Sequence, residues 1–200
     1  MLIVPIGVDC KVADFCVKYN LRKMSLPFDW CVSYNGVSKC IEDDFKKFIN
    51  PLNNRINIYD IYFHHDFDNA NLIQNDIDKY IRRCNRLLDI LQKGDEEIIF
   101  LRNGHCCHHH DEHNCKYNKI VNDIEDAENL DNIISIKYPK LKYKIIIVLS
   151  CDKCFNPSTE YKSIKNSIHI YNIASHEFNL ERFNSKCFEI CKNLNLLLLS

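Results

Sequence analysis

The sequence predicts an α/β protein whose mostly parallel sheet carries helices on both faces. Three short segments, at residues 2–6, 97–102 and 144–150, are almost continuously apolar, which is typical of strands covered on both faces. Amphipathic helical patterns alternate with these strands, and that alternation is typical of a parallel sheet. Because the chain of 200 residues contains neither an internal repeat nor a recognisable linker, we expect one domain over residues 1–200.

The first half of the chain begins with a strand that leads directly into a helix. The apolar run LIVPIG forms the strand, and the apolar residues from Val12 to Tyr19 recur at the spacing of one helix face. Asp9 is a good N-cap residue, which would place Cys10 in the first turn of this helix. The other elements predicted in this half are a helix over residues 37–49, a strand over 55–63, a loop at FHHDF and a long helix over 72–92 that Gly94 ends.

The second half continues the alternation of strand and helix. Its clearest elements are the two strongly apolar strands EEIIFLR and YKIIIVLS. The elements that we expect here are a strand over residues 96–102, a cysteine- and histidine-rich segment over 105–115, a helix over 117–137, a strand over 143–150, a strand over 167–173 and a helix over 178–194.

Composition and charge argue against several classes of partner. The formal net charge is −1, so the chain as a whole gives no reason to expect nucleic acid or an anionic membrane as a partner. No stretch has the length of a transmembrane helix, and the N-terminal apolar run is too short for a secretion signal. We therefore expect a cytoplasmic protein whose 12 cysteines are reduced thiols.

Cys10 occupies the most informative position in the chain, the junction of the first strand and the first helix. The unpaired N–H groups and the dipole at a helix N-terminus favour a thiolate over a thiol. A thiolate is the form of cysteine that attacks carbonyl carbons. The competing interpretation is that Cys10, like most of the 12 cysteines, is a small buried hydrophobic residue.

Other reactive residues also follow predicted strands. In open α/β sheets, sites lie beyond the carboxyl ends of the strands. The residues at those ends are Asp9 and Cys10, then the segment from Asn103 to His110, then Cys151 to Cys154, then His176. Their expected position at one edge of the sheet favours the interpretation of Cys10 as a nucleophile.

A nucleophilic cysteine needs a base, and the base needs a residue that orients it. The segment FHHDF offers His64 and His65, and either Asp66 or the upstream Asp29 in PFDW is a candidate to hold the imidazole. Adjacent side chains of an extended segment point to opposite faces, so Asp66 would point away from His65 and Asp29 would be the better partner. The alternative interpretations are structural and not catalytic: FHHDF is a solvated loop, and Trp30 of PFDW belongs to the core.

Cysteine and histidine also crowd the segment GHCCHHHDEHNC. Together with the CxxC pair Cys151 and Cys154, the residues Cys106 and His108 form a candidate zinc site, since thiolate and imidazole are the preferred zinc ligands. The spacing matches no standard zinc finger, so a solvated loop is the competing interpretation. Arg102 ends a predicted strand, where it would either bind a substrate carboxylate or phosphate or form a structural ion pair.

Six short motifs resemble a known family in their order and spacing: IGVDC, LRKMSLPFDW, DDFKKFI, YFHHDF, YIRRCNRLL and IIFLRN. They are similar to the papain-like cysteine peptidase family, a domain of unknown function found in bacteria and large DNA viruses. The resemblance covers roughly the first half of the chain. It implies Cys10 as the nucleophile and His65 as the base, with no clear match for the third residue. Because a mostly parallel sheet differs from the antiparallel sheet of papain, thioesterase, amidase and acyltransferase activities are also open.

We therefore expect a cysteine hydrolase that acts on a protein, peptide or other acyl substrate and requires no cofactor. Cys10 would attack, His65 would act as base, Asp29 or Asp66 would orient the imidazole, and Arg102 would bind the substrate. The alternatives are a non-enzymatic interaction module stabilised by zinc and an enzyme fold that has lost its activity. The sequence leaves open which histidine approaches Cys10, and the candidates are His64, His65, His105 and His176.

Overall fold

The architecture is alternating α/β, as the computed structural model of the protein shows. The structure describes residues 1–33, 36–104, 109–110, 120–121, 123–149, 161–173 and 180–196. In chain order, the elements are β1 (Leu2–Gly7), α1 (Lys11–Lys18), β2 (Cys31–Ser33), α2 (Val37–Glu42), β3 (Leu52–Asn53), β4 (Ile56–Asn57), β5 (Ile61–Phe63), α3 (Ile73–Lys93), β6 (Ile98–Gly104), β7 (His109–His110), β8 (Ile120–Val121), α4 (Asp123–Lys137), β9 (Tyr143–Leu149), β10 (Tyr161–Lys165), β11 (Ile168–Asn172) and α5 (Leu180–Asn193).

A five-stranded sheet forms the centre of the fold, in the order β1-β6-β9-β11-β10. The first four strands pair in parallel, and only β10 runs antiparallel to its neighbour β11. The prediction of a mostly parallel sheet is therefore confirmed. The antiparallel edge strand β10 was not predicted, because its residues are mostly exposed and lack an apolar pattern.

Helices cover both faces of this sheet, as predicted. Alternate residues of each strand point to opposite faces, so that Ile98 and Phe100 belong to one apolar cluster and Ile99 and Leu101 to another. The first cluster contains buried residues of α2, α3 and α4, and the second contains those of α1 and α5. No helix among the described residues is long and apolar enough to cross a membrane.

A small antiparallel sheet, in the order β2-β5-β4-β3, packs beside the end of β1. The strand predicted over residues 55–63 is broken here into β4 and β5, because Asp60 adopts a positive φ of 65° and turns the chain. Val8 after β1, Val32 of β2 and Tyr62 of β5 form a small apolar cluster. This cluster holds the end of the first parallel strand beside the end of β5, which determines the position of the candidate site.

Several helices are shorter than their patterns predict. The helix α1 begins at Lys11, with Cys10 as its N-cap residue and not in its first turn. It ends at Lys18, and α2 ends at Glu42 because two of the residues that follow it have positive φ. The helix predicted over 117–137 begins only at Asp123, since the preceding described residues form β8. The long helix α3 ends at Gly94 in the left-handed conformation, as predicted.

Candidate active site

The site begins at the carboxyl ends of β1 and β6, where two backbones approach closely. Gly7 pairs with Asn103 and has a φ of +133°. A Cβ at Gly7 would lie 2.2 Å from Asn103 Oδ1, so only glycine fits here. Asn103 Nδ2 donates to Asp9 Oδ1 at 2.7 Å, and the same oxygen accepts from the backbone N–H of Lys11 at 2.9 Å. Asp9 therefore binds the first residue of α1, which begins one residue later than expected, and Cys10 lies at the helix boundary as its N-cap residue.

Cys10 lies beside a histidine that comes from the other sheet. Its Sγ is 3.6 Å from His65 Nε2, within the range of a sulfur hydrogen bond. Cys10 is partly exposed and His65 is exposed, so the pair is open to solvent. The resemblance implied this histidine, and the geometry brings it to Cys10. Of the other candidates, His64 lies close by, while His105 and His176 are outside the described residues.

Two aromatic rings border the His65 imidazole. The Trp30 ring lies edge-on to it at 6.1 Å between centroids with an interplanar angle of 89°, and the His64 ring lies at 4.6 Å. Trp30 is only partly buried, in contrast to the core position that we expected. Among the described residues, nothing hydrogen-bonds His65 Nδ1.

Asp29 does not hold this imidazole directly. It is buried, and its Oδ2 accepts from Arg22 Nε at 3.0 Å, from Arg22 Nη2 at 2.6 Å and from the Leu26 N–H at 3.1 Å. The guanidinium of Arg22 lies over the Trp30 ring at 5.7 Å. Asp29 thus reaches His65 only through Arg22 and Trp30, which corrects the expectation of a direct hydrogen bond. Its other oxygen, Oδ1, is buried without a partner among the described residues.

Asp66 is also engaged elsewhere. Its carboxylate accepts from Lys79 Nζ at 2.5 Å and from Tyr80 Oη at 2.7 Å. Burial by itself would raise the pKa of Asp66. The hydrogen bonds from Lys79 and Tyr80 outweigh this effect, so the pKa of Asp66 lies below its usual value. Asp66 therefore anchors the chain after His65 to α3, and the expectation that it orients the imidazole is corrected as well.

The surroundings of Cys10 favour the neutral thiol. Burial raises the pKa of Cys10 to about 12, and the carboxylates of Asp9 and Asp14 raise it too, while Lys11 opposes them. The expected lowering of the pKa by the helix N-terminus is outweighed. The raised pKa favours the protonated form of Cys10 at neutral pH, and His65 Nε2 lies within hydrogen-bond reach of that proton.

Arg102 makes ion pairs of the kind expected from its structural alternative. The residue is completely buried. Its Nε donates to Asp123 Oδ1 at 2.5 Å and its Nη1 donates to Asp126 Oδ2 at 2.9 Å. The guanidinium is therefore buried and paired with the protein's own carboxylates, which favours the structural interpretation over the binding of a substrate.

The predicted zinc ligands Cys106, His108, Cys151 and Cys154 lie outside the described residues. That zinc site and the interaction module that depends on it stay predictions. Among the described residues, ligand atoms of Cys10, His64 and His65 all lie within 4.8 Å of one another.

A cavity of about 1200 Å³ has Tyr62 in its lining. The Tyr62 ring stacks on His64, the neighbour of His65, at 5.8 Å between centroids. Arg55 lies over the Tyr62 ring at 5.2 Å and donates to its hydroxyl at 3.2 Å. Much of the remaining lining is apolar, formed by Ile49, Leu52, Phe67, Ile73 and Ile77. Sequence reasoning missed this cavity, since its lining comes from short strands, the segments between them and the start of α3, which no single pattern connects.

Fold and site together define an α/β protein with a cysteine–histidine pair at the carboxyl edge of a parallel sheet. Residues 1–62 match a family described as "Putative papain-like cysteine peptidase". The resemblance is thus confirmed over these residues, which include Cys10 and Asp29 and end three residues before His65. No curated protein and no solved structure matches this chain significantly.

Proposed function

We propose that this protein is a cysteine-dependent hydrolase of amide, ester or thioester bonds. The observation that carries the proposal is the 3.6 Å separation of Cys10 Sγ and His65 Nε2. A nucleophile and a base within reach of each other are the minimal machinery of acyl transfer through a covalent intermediate. The match of residues 1–62 supports the same chemistry.

The reaction begins with neutral His65 in the tautomer that carries its proton on Nδ1. Nε2 accepts the proton of the Cys10 thiol as Sγ forms a bond to the acyl carbon of the substrate. His65 then returns that proton to the leaving nitrogen, oxygen or sulfur as its bond to the acyl carbon breaks, which leaves a thioester on Cys10. Water, deprotonated by His65, cleaves the thioester, releases the carboxylic acid and restores the thiol.

Backbone N–H groups at the start of α1 are the candidate oxyanion donors. The first N–H groups of a helix have no acceptor within the helix, and hydrogen-bond donors placed at the developing oxyanion stabilise it. The N–H of Lys11 is already bonded to Asp9. The N–H of Cys10 and those of Val12 and Ala13 are the donors that we assign to this role.

The cavity that Tyr62 lines suits the acyl or peptide portion of a substrate. Its apolar lining would desolvate an aliphatic or aromatic group, since burial of apolar surface is favourable by about 25 cal/mol per Å². Arg55 and Asp68 add polar groups of both signs to the lining. We place substrate recognition here and not at Arg102, because Arg102 is buried in its own ion pair.

Mass spectrometry of the acylated protein tests the proposal. Incubation with a panel of activated esters and thioesters should add one acyl group to Cys10 of the wild-type protein, located by peptide mapping. Cys10→Ala should abolish the adduct, and His65→Ala should slow its formation by about 10²- to 10⁴-fold, the usual contribution of a general base.

Two variants serve as matched controls. Cys84→Ala removes a buried thiol, and His169→Asn removes a partly buried histidine of β11. Both should acylate Cys10 at the wild-type rate. Equal acylation of the Cys10→Ala variant, or acylation of Cys10 that does not depend on His65, would rule out the proposed pair.

A further inference from the structure

Three potential metal ligands converge at the same place from two parts of the chain. Cys10 comes from the start of α1, and His64 and His65 follow β5. Their ligand atoms lie within 4.8 Å of one another. With Zn–S and Zn–N bonds of about 2.3 and 2.0–2.1 Å, a tetrahedral zinc ion separates sulfur and nitrogen by about 3.5 Å. The observed separation of Cys10 Sγ and His65 Nε2 is 3.6 Å.

We propose that Cys10, His64 and His65 form a binding site for Zn²⁺ with the fourth coordination position open to solvent. Its ligand set shares no residue with the zinc site predicted from Cys106, His108, Cys151 and Cys154, which lie outside the described residues. Binding at the three residues requires only their geometry. Its consequence, that the ion blocks the nucleophile, rests on the proposed function.

The local backbone explains how two adjacent histidines serve one ion. In an extended strand their side chains would point to opposite faces. Here β5 ends at Phe63 and the chain bends, so that the two rings lie 4.6 Å apart with an interplanar angle of 34°. Arg55 fixes this bend by donating to the Phe63 carbonyl at 3.0 Å and to the His64 carbonyl.

The two imidazoles are available to a metal. Among the described residues, the ring nitrogens of His64 make no hydrogen bond, and those of His65 make only the contact with Cys10. The His64 ring stacks on Tyr62 and is exposed, so a small rotation about its side-chain bonds can bring a nitrogen to the ion. Coordination replaces the thiol proton: Zn²⁺, one thiol and two neutral imidazoles give the bound complex and one released H⁺.

Ligand type selects the class of ion. One thiolate and two imidazoles suit Zn²⁺, whereas Mg²⁺ and Ca²⁺ require oxygen ligands. The negative charge of Asp9, next to Cys10, adds a favourable field for a cation, although Lys11 pairs with that carboxylate. Bound Zn²⁺ would occupy the sulfur lone pair that attacks a substrate, so the ion would act as a reversible inhibitor.

Cobalt spectroscopy and site-resolved alkylation test the proposal in the full chain without a histidine tag. Co²⁺ added to chelator-treated protein should give a thiolate-to-metal absorption band with tetrahedral visible bands, and Zn²⁺ should displace it. Cys10→Ser should remove the fraction of the band that comes from this site. His64→Asn and His65→Asn should each weaken Co²⁺ binding here by about 100-fold or more, since even outer-shell residues contribute 10- to 100-fold.

Peptide mapping separates this site from the cysteine-rich segments elsewhere in the chain. One equivalent of Zn²⁺ beyond the amount that those segments bind should protect Cys10 from iodoacetamide. This protection should be lost in His64→Asn. His169→Asn is the matched control and should keep the protection. Unchanged alkylation of Cys10 in Zn²⁺, or a cobalt band at this site that persists in Cys10→Ser, would overturn the proposal.

The outcome also distinguishes this inference from the proposed function. Acylation of Cys10 in the presence of chelator, without any protection by Zn²⁺, would refute the metal site and leave the hydrolase proposal standing. Protection by Zn²⁺ that depends on His64, without acylation by any substrate, would establish the metal site and refute the hydrolase.

Discussion

The thiol of Cys10 lies in an environment that opposes its ionisation. Burial and the carboxylates of Asp9 and Asp14 raise its pKa to about 12. The dipole of a helix N-terminus favours an anion by only about 0.3–1 kcal/mol, and α1 has just 8 residues. The site therefore differs from one that holds a standing thiolate. In the proposed reaction, activation of Cys10 would depend on His65 at the moment of attack.

The pH dependence of alkylation measures the raised pKa of Cys10 directly. In His65→Ala, which lacks the base, only the thiolate of Cys10 reacts with iodoacetamide. Because the pKa is raised to about 12, the rate constant should still increase about tenfold per pH unit at pH 9–10, where an ordinary cysteine with a pKa of about 8.5 has levelled off. Site-resolved mass spectrometry gives the rate, and the same cysteine in urea-unfolded protein is the control. A plateau near that of the unfolded protein would contradict the raised pKa.

At the scale of elements, the site is a junction of β1 and α1 with the ends of β2 and β5. The cluster of Val8, Val32 and Tyr62 fixes the distance between them. The turn before β2 contributes Trp30, which is held from behind by the Asp29–Arg22 ion pair. No carboxylate among the described residues contacts the imidazole, so its orientation comes from aromatic packing.

Trp30 should accordingly act as a positioning residue. Trp30→Ala removes the ring that borders His65, and misplacement of a catalytic group by about 1 Å can cost up to about 10²-fold in rate. We expect slower acylation of Cys10 by about tenfold or more, with most of the rate restored in Trp30→Phe. The measurement is the acylation rate constant at saturating substrate, corrected for the folded fraction. A wild-type rate in both variants after this correction would show that Trp30 has a purely structural role.

At the scale of the whole molecule, the sequence predicts the large sheet. It does not predict which side chains form ion pairs with the carboxylates near the site. Continuous apolar strands such as β6 and β9 are typical of a sheet that is covered on both faces, and this pattern can be read from the sequence. The strands β2 to β5 have two or three residues each, too few for any period to be read. Asp29 and Asp66 were expected near His65, yet each finds a cation, Arg22 or Lys79, that only the folded chain brings to it.

Cys10 and His65 were predictable for different reasons. The junction of strand and helix singles out Cys10 from the order of elements alone. The choice of His65 over its neighbour came from the resemblance, because residue patterns do not decide which of two adjacent histidines faces a given side when the chain bends. The same bend explains why the convergence of His64 on Cys10 was not foreseen.

Asp126 should give the stability of the protein a measurable pH dependence. Burial raises its pKa to about 6 although Arg102 opposes this, while an unfolded aspartate titrates near about 3.9. Between these values the folded state holds a proton that the unfolded state has released, so this residue lowers the free energy of unfolding as pH rises. The free energy of unfolding of Asp126→Asn, taken relative to that of the wild type at the same pH, should therefore increase by on the order of 2 kcal/mol from about pH 4 to pH 6.

Urea denaturation across this pH range gives the difference between the two proteins. Asp68→Asn, a substitution of an exposed carboxylate, is the control and should show little trend. A difference curve for Asp126→Asn that is flat, or that falls with pH, would contradict the raised pKa.

The buried ion pairs of Arg102 connect β6 to the start of α4 and so concern the stability of the whole fold. Arg102→Met should lower the free energy of unfolding by about 3–5 kcal/mol, because it leaves the buried carboxylates of Asp123 and Asp126 without their cation. Combining it with Asp123→Asn and Asp126→Asn should recover part of this loss, since the uncompensated charges are then gone. The exposed Arg82→Met is the control and should change stability by less than about 0.5 kcal/mol.

The same variants decide between the two interpretations of Arg102. If the residue is structural, the triple variant should acylate Cys10 at the wild-type rate per folded molecule, with an unchanged KM for substrates that carry a carboxylate. A variant of Arg102 that folds with wild-type stability but has lost affinity for such substrates would instead restore the substrate-binding role. That result would require the guanidinium to leave a site where 1% of its side chain is exposed, at the cost of two buried carboxylates left unpaired, which is why we expect the first outcome.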